Sequence, residues 1–231
     1  AVFMGMRPEA IKMAPVVAAL RGADDLACEV VSTGQHREML RQVTDQFGLS
    51  VDAQFDVMVP NQSLAALTAR LMTAIDGWLA TSAPDLALVQ GDTTTVLVAA
   101  LACFYRRIPI GHVEAGLRTG DIWSPFPEEA NRRLASPLVS LHFAPTGAAR
   151  EALLREGVPD AAIEVTGNTV IDALFMELEA QKRPDVREVL DREFAGLLGT
   201  DWASAPYVLI TGHRRENFGA GFDAICAGIA R

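Results

Sequence analysis

The chain has 231 residues, half of them hydrophobic, and its 20 basic and 29 acidic residues give a formal net charge of −9. That length and apolar content suit one large domain, or one domain and part of a second, and exclude a disordered chain. The acidic balance speaks against a broad nucleic-acid footprint, no apolar run is long enough for a bilayer-spanning helix, and three scattered cysteines (Cys28, Cys103, Cys226) without a CxxC pair support neither a disulfide framework nor a zinc site.

In chain order, "AVFM" (1–4) reads as the stub of a buried strand, with Gly5 starting the turn after it. Pro8 suits the first turn of a helix, where its missing N–H leaves nothing unpaired. That helix runs through "EAIKMAPVVAAL" (9–20), and Pro15 should kink it or end its first section. "CEVVSTG" (28–34) is a second strand, followed by a polar loop at "TGQHREM". Residues 63–81 show helical spacing, with Leu64, Leu67, Leu71 and Ile75 recurring at threes and fours. "PDLALVQGD" (84–92) is a strand closed by Gly91. "TTTVLVAALACFYRR" (93–107) is a mostly apolar helix, and "IPIGHVEAG" (108–116) is the next strand. "FPEEANRRLASPL" (126–138) is a short helix. "SLHFAPT" (140–146) and "AIEVTG" (162–167) are two further strands, with the helix "GAAREALLREG" (147–157) between them. A more polar, partly helical stretch (181–199) leads into "YVLITGHRRENFG" (207–219), a strand with a polar loop behind it.

Strand and helix therefore alternate, and several strands are continuous apolar runs. This is the pattern of an α/β fold whose parallel sheet is covered on both faces. We place a domain junction near Gly167 and Asn168. Residues 1–167 then form an N-terminal Rossmann-like domain, and 168–231 the beginning of a second one, incomplete in this chain because one strand makes no sheet. No leader pattern is visible, so a soluble cytoplasmic protein is expected, without membrane or nucleic acid as a partner.

In parallel α/β sheets ligands sit beyond the C-terminal ends of the strands. Arg7 and Lys12 follow the first strand, Gln35 and His36 the second, Asp92 the strand ending in Gln90, and Glu114 the one ending in Val113. Glu128 and Glu129 lie in the Pro-rich stretch beyond, and His213, Arg214, Arg215 and Glu216 follow the last strand. Backbone N–H groups at a helix start favour an anion, and Arg7 would add a guanidinium fork matched to phosphate oxygens. The plainer alternative for Arg7 is a surface salt bridge with Glu9. Two carboxylates at neighbouring strand ends, Asp92 and Glu114, could share a site and divide acid and base roles; for Asp92 the plainer alternative is helix capping. His112 shares its parity with Glu114 and could orient a loop; His142 reads as a core or loop histidine. There is no GxGxxG, no GxxxxGK[ST], no GxSxG and no HExxH, so a metal or redox cofactor is not expected.

Taken together, "GMRPEAIKMAP", "QHREML", "VQGDTTTVLVAALACFYRRIPIGHVEAGLRTGD", "PFPEEANRR", "HFAPT", "VTGNTVIDAL" and "TGHRRENFG" closely resemble the non-hydrolysing UDP-N-acetylglucosamine 2-epimerases, over essentially the whole chain. The resemblance implies a GT-B-like fold of two Rossmann-like domains closing over a UDP-sugar. It implies an isomerase, a homodimer without cofactor or metal, that interconverts UDP-N-acetylglucosamine and UDP-N-acetylmannosamine for polysaccharide biosynthesis. The reaction would be elimination of UDP to 2-acetamidoglucal followed by re-addition. By motif, Asp92, Glu114 and Glu128 would be the acid–base set by the sugar ring. Arg7 and Lys12 would face the phosphates, with His213, Arg214 and Glu216 approaching from the second domain and His213 nearest the leaving diphosphate. Gln35 and His36 resemble residues near a regulatory ligand. Two departures stand out: Met6 where the family usually has Thr, and Glu38 and Asn61 where some members carry a glutamine and an arginine for the regulatory ligand. Family members also continue well past "HRRENFG", so a product of only 231 residues is expected to be nearly inactive. The neighbouring alternatives are a 2-epimerase for a modified UDP-sugar, such as a 2,3-diacetamido uronic acid, and a hydrolysing epimerase.

Overall fold

The structure, a computed structural model, describes residues 1–34, 37–204, 206–210 and 219–229. They fall into two compact units, Ala1–Ala180 and Gln181–Arg231.

In the first unit seven strands form one parallel sheet: β1 (Val2–Met4), β2 (Val30–Ser32), β3 (Ala53–Gln54), β4 (Ala87–Gln90), β5 (Ile110–Val113), β6 (Leu141–Ala144) and β7 (Ile163–Val165). Their order is β3-β2-β1-β4-β5-β6-β7. Among the described residues seven α-helices accompany them: α1 (Arg7–Arg21), α2 (Arg37–Gln46), α3 (Leu64–Ser82), α4 (Thr94–Tyr105), α5 (Glu128–Ala135), α6 (Gly147–Arg155) and α7 (Thr169–Ala180). The central strands are buried on both sides because successive residues point to opposite faces, and both faces carry helices. On one face Phe3, Val31, Ala87 and Val89 pack with Leu67, Leu71, Ile75 and Leu79 of α3 and with Val96, Ala99 and Cys103 of α4. On the other, Val2, Met4, Val30 and Leu88 pack with Ala10, Met13, Ala14 and Val17 of α1 and with Leu40 and Val43 of α2. The one-residue offset between Phe3 and its neighbours thus assigns each apolar side chain to a layer.

Helix boundaries follow local chemistry. At the start of α3, Ser63 Oγ accepts from the Ala66 N–H at 3.2 Å. The same helix closes on Ala83 in a left-handed conformation. Of the two expectations at Pro15, an end to the helix is corrected: α1 is one element from Arg7 to Arg21 with Pro15 inside it. Proline removes one helical hydrogen bond, but Met13, Ala14 and Val17 are fully buried on either side of it and hold the turns in place. The polar stretch read as a loop gives way to α2 at Arg37, and the two-residue β3 is an edge strand too short to register as a pattern.

The order reverses between β1 and β4. The chain leaves β1 for α1 on one face and leaves β4 for α4 on the other. Two helix starts therefore diverge at one point, and a crevice opens there beyond the strand ends. α7, which follows the turn at Gly167, packs against α1 within the first unit.

The second unit contains α8 (Pro184–Leu198) and α9 (Ala220–Ile229). Phe194 stacks on Trp202 at 4.9 Å, and the Arg187 guanidinium lies 5.3 Å from the same indole. The strand expected from Tyr207 is not one over its described residues, 207–210: nothing among the described residues pairs with them, and Tyr207, Val208 and Leu209 are exposed. A strand's backbone groups need a neighbouring strand. No helix among the described residues is long and apolar enough to cross a membrane.

Candidate active site

The crevice at the β1/β4 switch holds a cavity of about 300 Å³, lined among others by Glu9, Lys12, Asp92, Thr93, Glu114, Glu128 and Arg132. Three strand ends and one helix supply these groups. β1 turns at Gly5 into α1, which carries Glu9 and, nearly one turn later, Lys12. β4 ends in Gln90 and turns at Gly91 (φ +79°), presenting Asp92 and Thr93. β5 ends at Val113, and Glu114 follows with a left-handed backbone, φ +66°. For a side chain with a Cβ that conformation is strained, and such strain gathers at functional sites. α5 begins with Glu128 and presents Arg132 one turn on.

Each of two carboxylates has its own cation. Lys12 Nζ donates to Glu114 Oε2, as does Gln90 Nε2, while Asn168 Nδ2 donates to Oε1 at 3.3 Å. Arg132 Nη2 donates to Asp92 Oδ2 at 2.5 Å, and Asn131 Nδ2 donates to the Asp92 carbonyl at 2.8 Å. Arg132 also reaches back 3.1 Å to Glu129, which is fully buried and accepts from the N–H groups of Thr119 and Gly120. Glu128, half-buried, takes no hydrogen bond or ion pair among the described residues.

Beneath this layer two buried ionisable groups brace the turns. Glu9, 2% exposed, accepts from the N–H of Gly5 (2.5 Å) and of Met6 (2.8 Å) and from the Thr93 hydroxyl (2.5 Å). Burial outweighs these three donors and raises its pKa to about 7. His112 is buried in β5, with Nε2 2.7 Å from the Gly91 carbonyl; with Nε2 as the donor the proton sits on that nitrogen. Burial lowers its pKa to about 4, so the ring is neutral and ties β5 to the turn that carries Asp92. His142 is likewise buried, with its pKa lowered to about 4 by burial.

Of the residues singled out from the sequence, Lys12, Asp92, Glu114 and Glu128 line the same cavity. Arg7 is exposed and outside its lining. Gln35, His36, His213, Arg214, Arg215 and Glu216 lie outside the described residues. The N–H groups of Gly5 and Met6, which a helix start could offer to a bound anion, are taken by Glu9, and Glu9 is buried rather than paired with Arg7 at the surface. Gln90, Asn131, Arg132 and Asn168 were missed. Arg132 carried a signal, falling four residues after Glu128 and three after Glu129 on one helix. Asn168 lies 54 residues from Glu114, and nothing local announces that contact. Among the described residues no group of three His, Cys, Asp or Glu could hold a metal ion.

The family model described as UDP-N-acetylglucosamine 2-epimerase matches residues 18–231. The UDP-N-acetylglucosamine 2-epimerase of Yersinia pestis is 52% identical over 227 residues, covering 98% of this chain and 59% of its own length. Among solved structures, the UDP-GlcNAc 2-epimerase of Neisseria meningitidis bound to UDP-GlcNAc superposes with a TM-score of 0.91 at 46% identity, over 99% of this chain and 60% of that one. The S. aureus MnaA–UDP co-structure gives 0.86 at 40% identity, over 100% and 58%. The chain spans about three-fifths of the length of the curated relatives it matches. Its fold is the α/β, GT-B-like fold of those structures.

Proposed function

The chain belongs to the UDP-N-acetylglucosamine 2-epimerase family, and from this we propose that the protein interconverts UDP-N-acetylglucosamine and UDP-N-acetylmannosamine without hydrolysis. The observation that carries the proposal is the gathering of Asp92, Glu114 and Glu128 around one cavity at the sheet's switch point.

The hydrogen on C2 of the sugar is not adjacent to a carbonyl, so a carboxylate alone cannot remove it to leave a stabilised carbanion. Expulsion of UDP from C1 gives the electron pair a destination. Elimination yields 2-acetamidoglucal and UDP; protonation at C2 from the opposite face, with re-addition of UDP at C1, yields the epimer. This chemistry needs carboxyl groups on both sides of C2 to take and deliver a proton, and charge stabilisation on the departing diphosphate. Three carboxylates on three elements can meet the first need. For the second, Lys12 and Arg132 are already neutralised by Glu114 and Asp92. Further stabilisation is therefore required, and we assign it, on the motif resemblance and not on the cavity's lining, to Arg7, His213 and Arg214. In this reading the protein is a cytoplasmic homodimer serving polysaccharide synthesis.

The test is incubation of the intact protein with UDP-N-acetylglucosamine in deuterated water. UDP-N-acetylmannosamine labelled at C2, with no free sugar, is the expected product; free N-acetylmannosamine would indicate a hydrolysing enzyme instead. Asp92→Asn and Glu114→Gln are each expected to slow C2 exchange by about 100-fold or more. Unchanged exchange in both would remove them from the reaction.

A further inference from the structure

We propose that Glu9 is a positioning residue: its carboxylate ties the first turn of α1 to Thr93 and thereby fixes the place of Asp92. The kinetic part of this proposal rests on the reaction assigned above; the structural part does not.

The geometry begins with a helix start that lacks a Ser, Thr, Asn or Asp cap. Met6 holds that position in extended conformation. Glu9, third in the helix, turns back and accepts with one oxygen from both Gly5 and Met6. Its other oxygen is thereby aimed away from its own helix, at the turn that follows β4. There it takes the Thr93 hydroxyl at 2.5 Å, across 84 residues of sequence, at the length of a charge-assisted O–H···O⁻ bond.

Thr93 stands at the N-cap of α4, where a threonine hydroxyl ordinarily accepts from the helix's own N–H groups. Here it makes no such bond. A local capping role has given way to a long-range one, a conflict between levels that marks functional sites. Asp92 is the residue just before Thr93. The turn it occupies is held from three elements: from β5 by His112 on the Gly91 carbonyl, from α5 by Asn131 and Arg132, and from α1 by Glu9. Asp92 is thus bracketed by Gly91 and Thr93, each fixed by a buried ionisable group.

The bond also has a sense. With three donors directed at it, the clamp is complete when Glu9 is ionised. A protonated Glu9 must itself donate, and Thr93 must then turn to accept. The charged groups facing Glu9 are Asp92 across the turn, Lys12 on its own helix, and Glu114, Glu128 and Arg132 around the same cavity. Its pKa of about 7 places the reversal near neutral pH.

The kinetic test uses Glu9→Gln, Thr93→Val and Thr93→Ser in the intact protein. Glu9→Gln and Thr93→Val are each expected to lower kcat about tenfold with KM changed less than about threefold. Thr93→Ser keeps the hydroxyl and should recover most of the loss. Combining Glu9→Gln with Thr93→Val should cost no more than either change alone. Unchanged kcat, or losses that multiply, would overturn the proposal. Thr93→Val alone serves if Glu9→Gln does not fold. An NMR titration judges the clamp independently of turnover. The amide signals of Gly5, Met6 and Asp92 should move together as pH crosses neutrality, and none should do so in Glu9→Gln. An Asp92 signal that stays still while Gly5 and Met6 move overturns the coupling. Absence of turnover on UDP-N-acetylglucosamine by the unsubstituted protein would instead count against the assigned reaction and leave the titration to decide on Glu9.

Discussion

Glu9 and His112 carry opposite pH dependences. The His112 pKa falls in the fold from the ordinary 6.5 to about 4, so its neutral form contributes stability that is complete above 6.5 and lost as pH falls through about 4. The shift corresponds to about 3 kcal/mol at full extent. His112→Gln keeps a donor for the Gly91 carbonyl but cannot titrate. Urea unfolding at pH 7 and pH 4.5 should show a smaller acid loss in that variant than in the parent, and equal losses would refute the assignment. Glu9 runs the other way. Its pKa rises from 4.5 to about 7, so its protonated form favours the fold below 4.5, and that contribution disappears as pH rises through about 7. Asp92 and Glu114 could be placed from the sequence because the rule that ligands gather at strand ends needs only the order of elements, whereas Glu128, at the start of α5, was set beside them by the motif resemblance. Glu9 was not legible, and Arg132 only in its pairing with Glu129, because their partners Thr93 and Asp92 lie 84 and 40 residues away.

The helices and strands repeat this lesson one level up. α3 was plain in its own sequence: of the expected stripe Leu67, Leu71 and Ile75 are buried and Leu79 continues it, while Leu64 in the first turn is exposed. Leu71→Ala should therefore cost about 2–5 kcal/mol in denaturant unfolding; a loss below about 1 kcal/mol would mean that the stripe is not core. α1 was legible, and at Pro15 the burial of its neighbours lets one helix run on where the local rule also allowed an end. Residues 207–210 have strand chemistry without a strand's partner, and pairing is not a property of the segment itself. The loop after β5 depends on a close approach that only the fold reveals. Gly116 has φ +88°, and a Cβ there would stand 2.4 Å from the Ala149 carbonyl oxygen in α6. Gly116→Ala should destabilise by at least about 2 kcal/mol, combining strained backbone with a clash that a flexible side chain cannot relieve. A thermal midpoint matching the parent's would show that α6 can move aside.

At the scale of the molecule, alternating apolar strands and helices were enough to give a parallel sheet with two covered faces. They did not reveal that α7 returns to lie on α1. A chain ended at Ala180 is expected to keep a cooperative unfolding transition, because every core cluster of the first unit lies within it. One ended at Gly167 should be less stable, since it uncovers the α1 surface that α7 packs on; equal midpoints in urea would place the boundary at the earlier residue. The left-handed backbone at Glu114 is held by the three donors to its carboxylate. Asparagine adopts that conformation more readily but leaves Lys12 without its carboxylate, so Glu114→Asn should melt below the parent; an equal or higher midpoint would show that backbone strain outweighs the ion pair. Selection for heat survival alone would therefore keep an acid at position 114, and its persistence in a lineage would not by itself betray a need for the reaction.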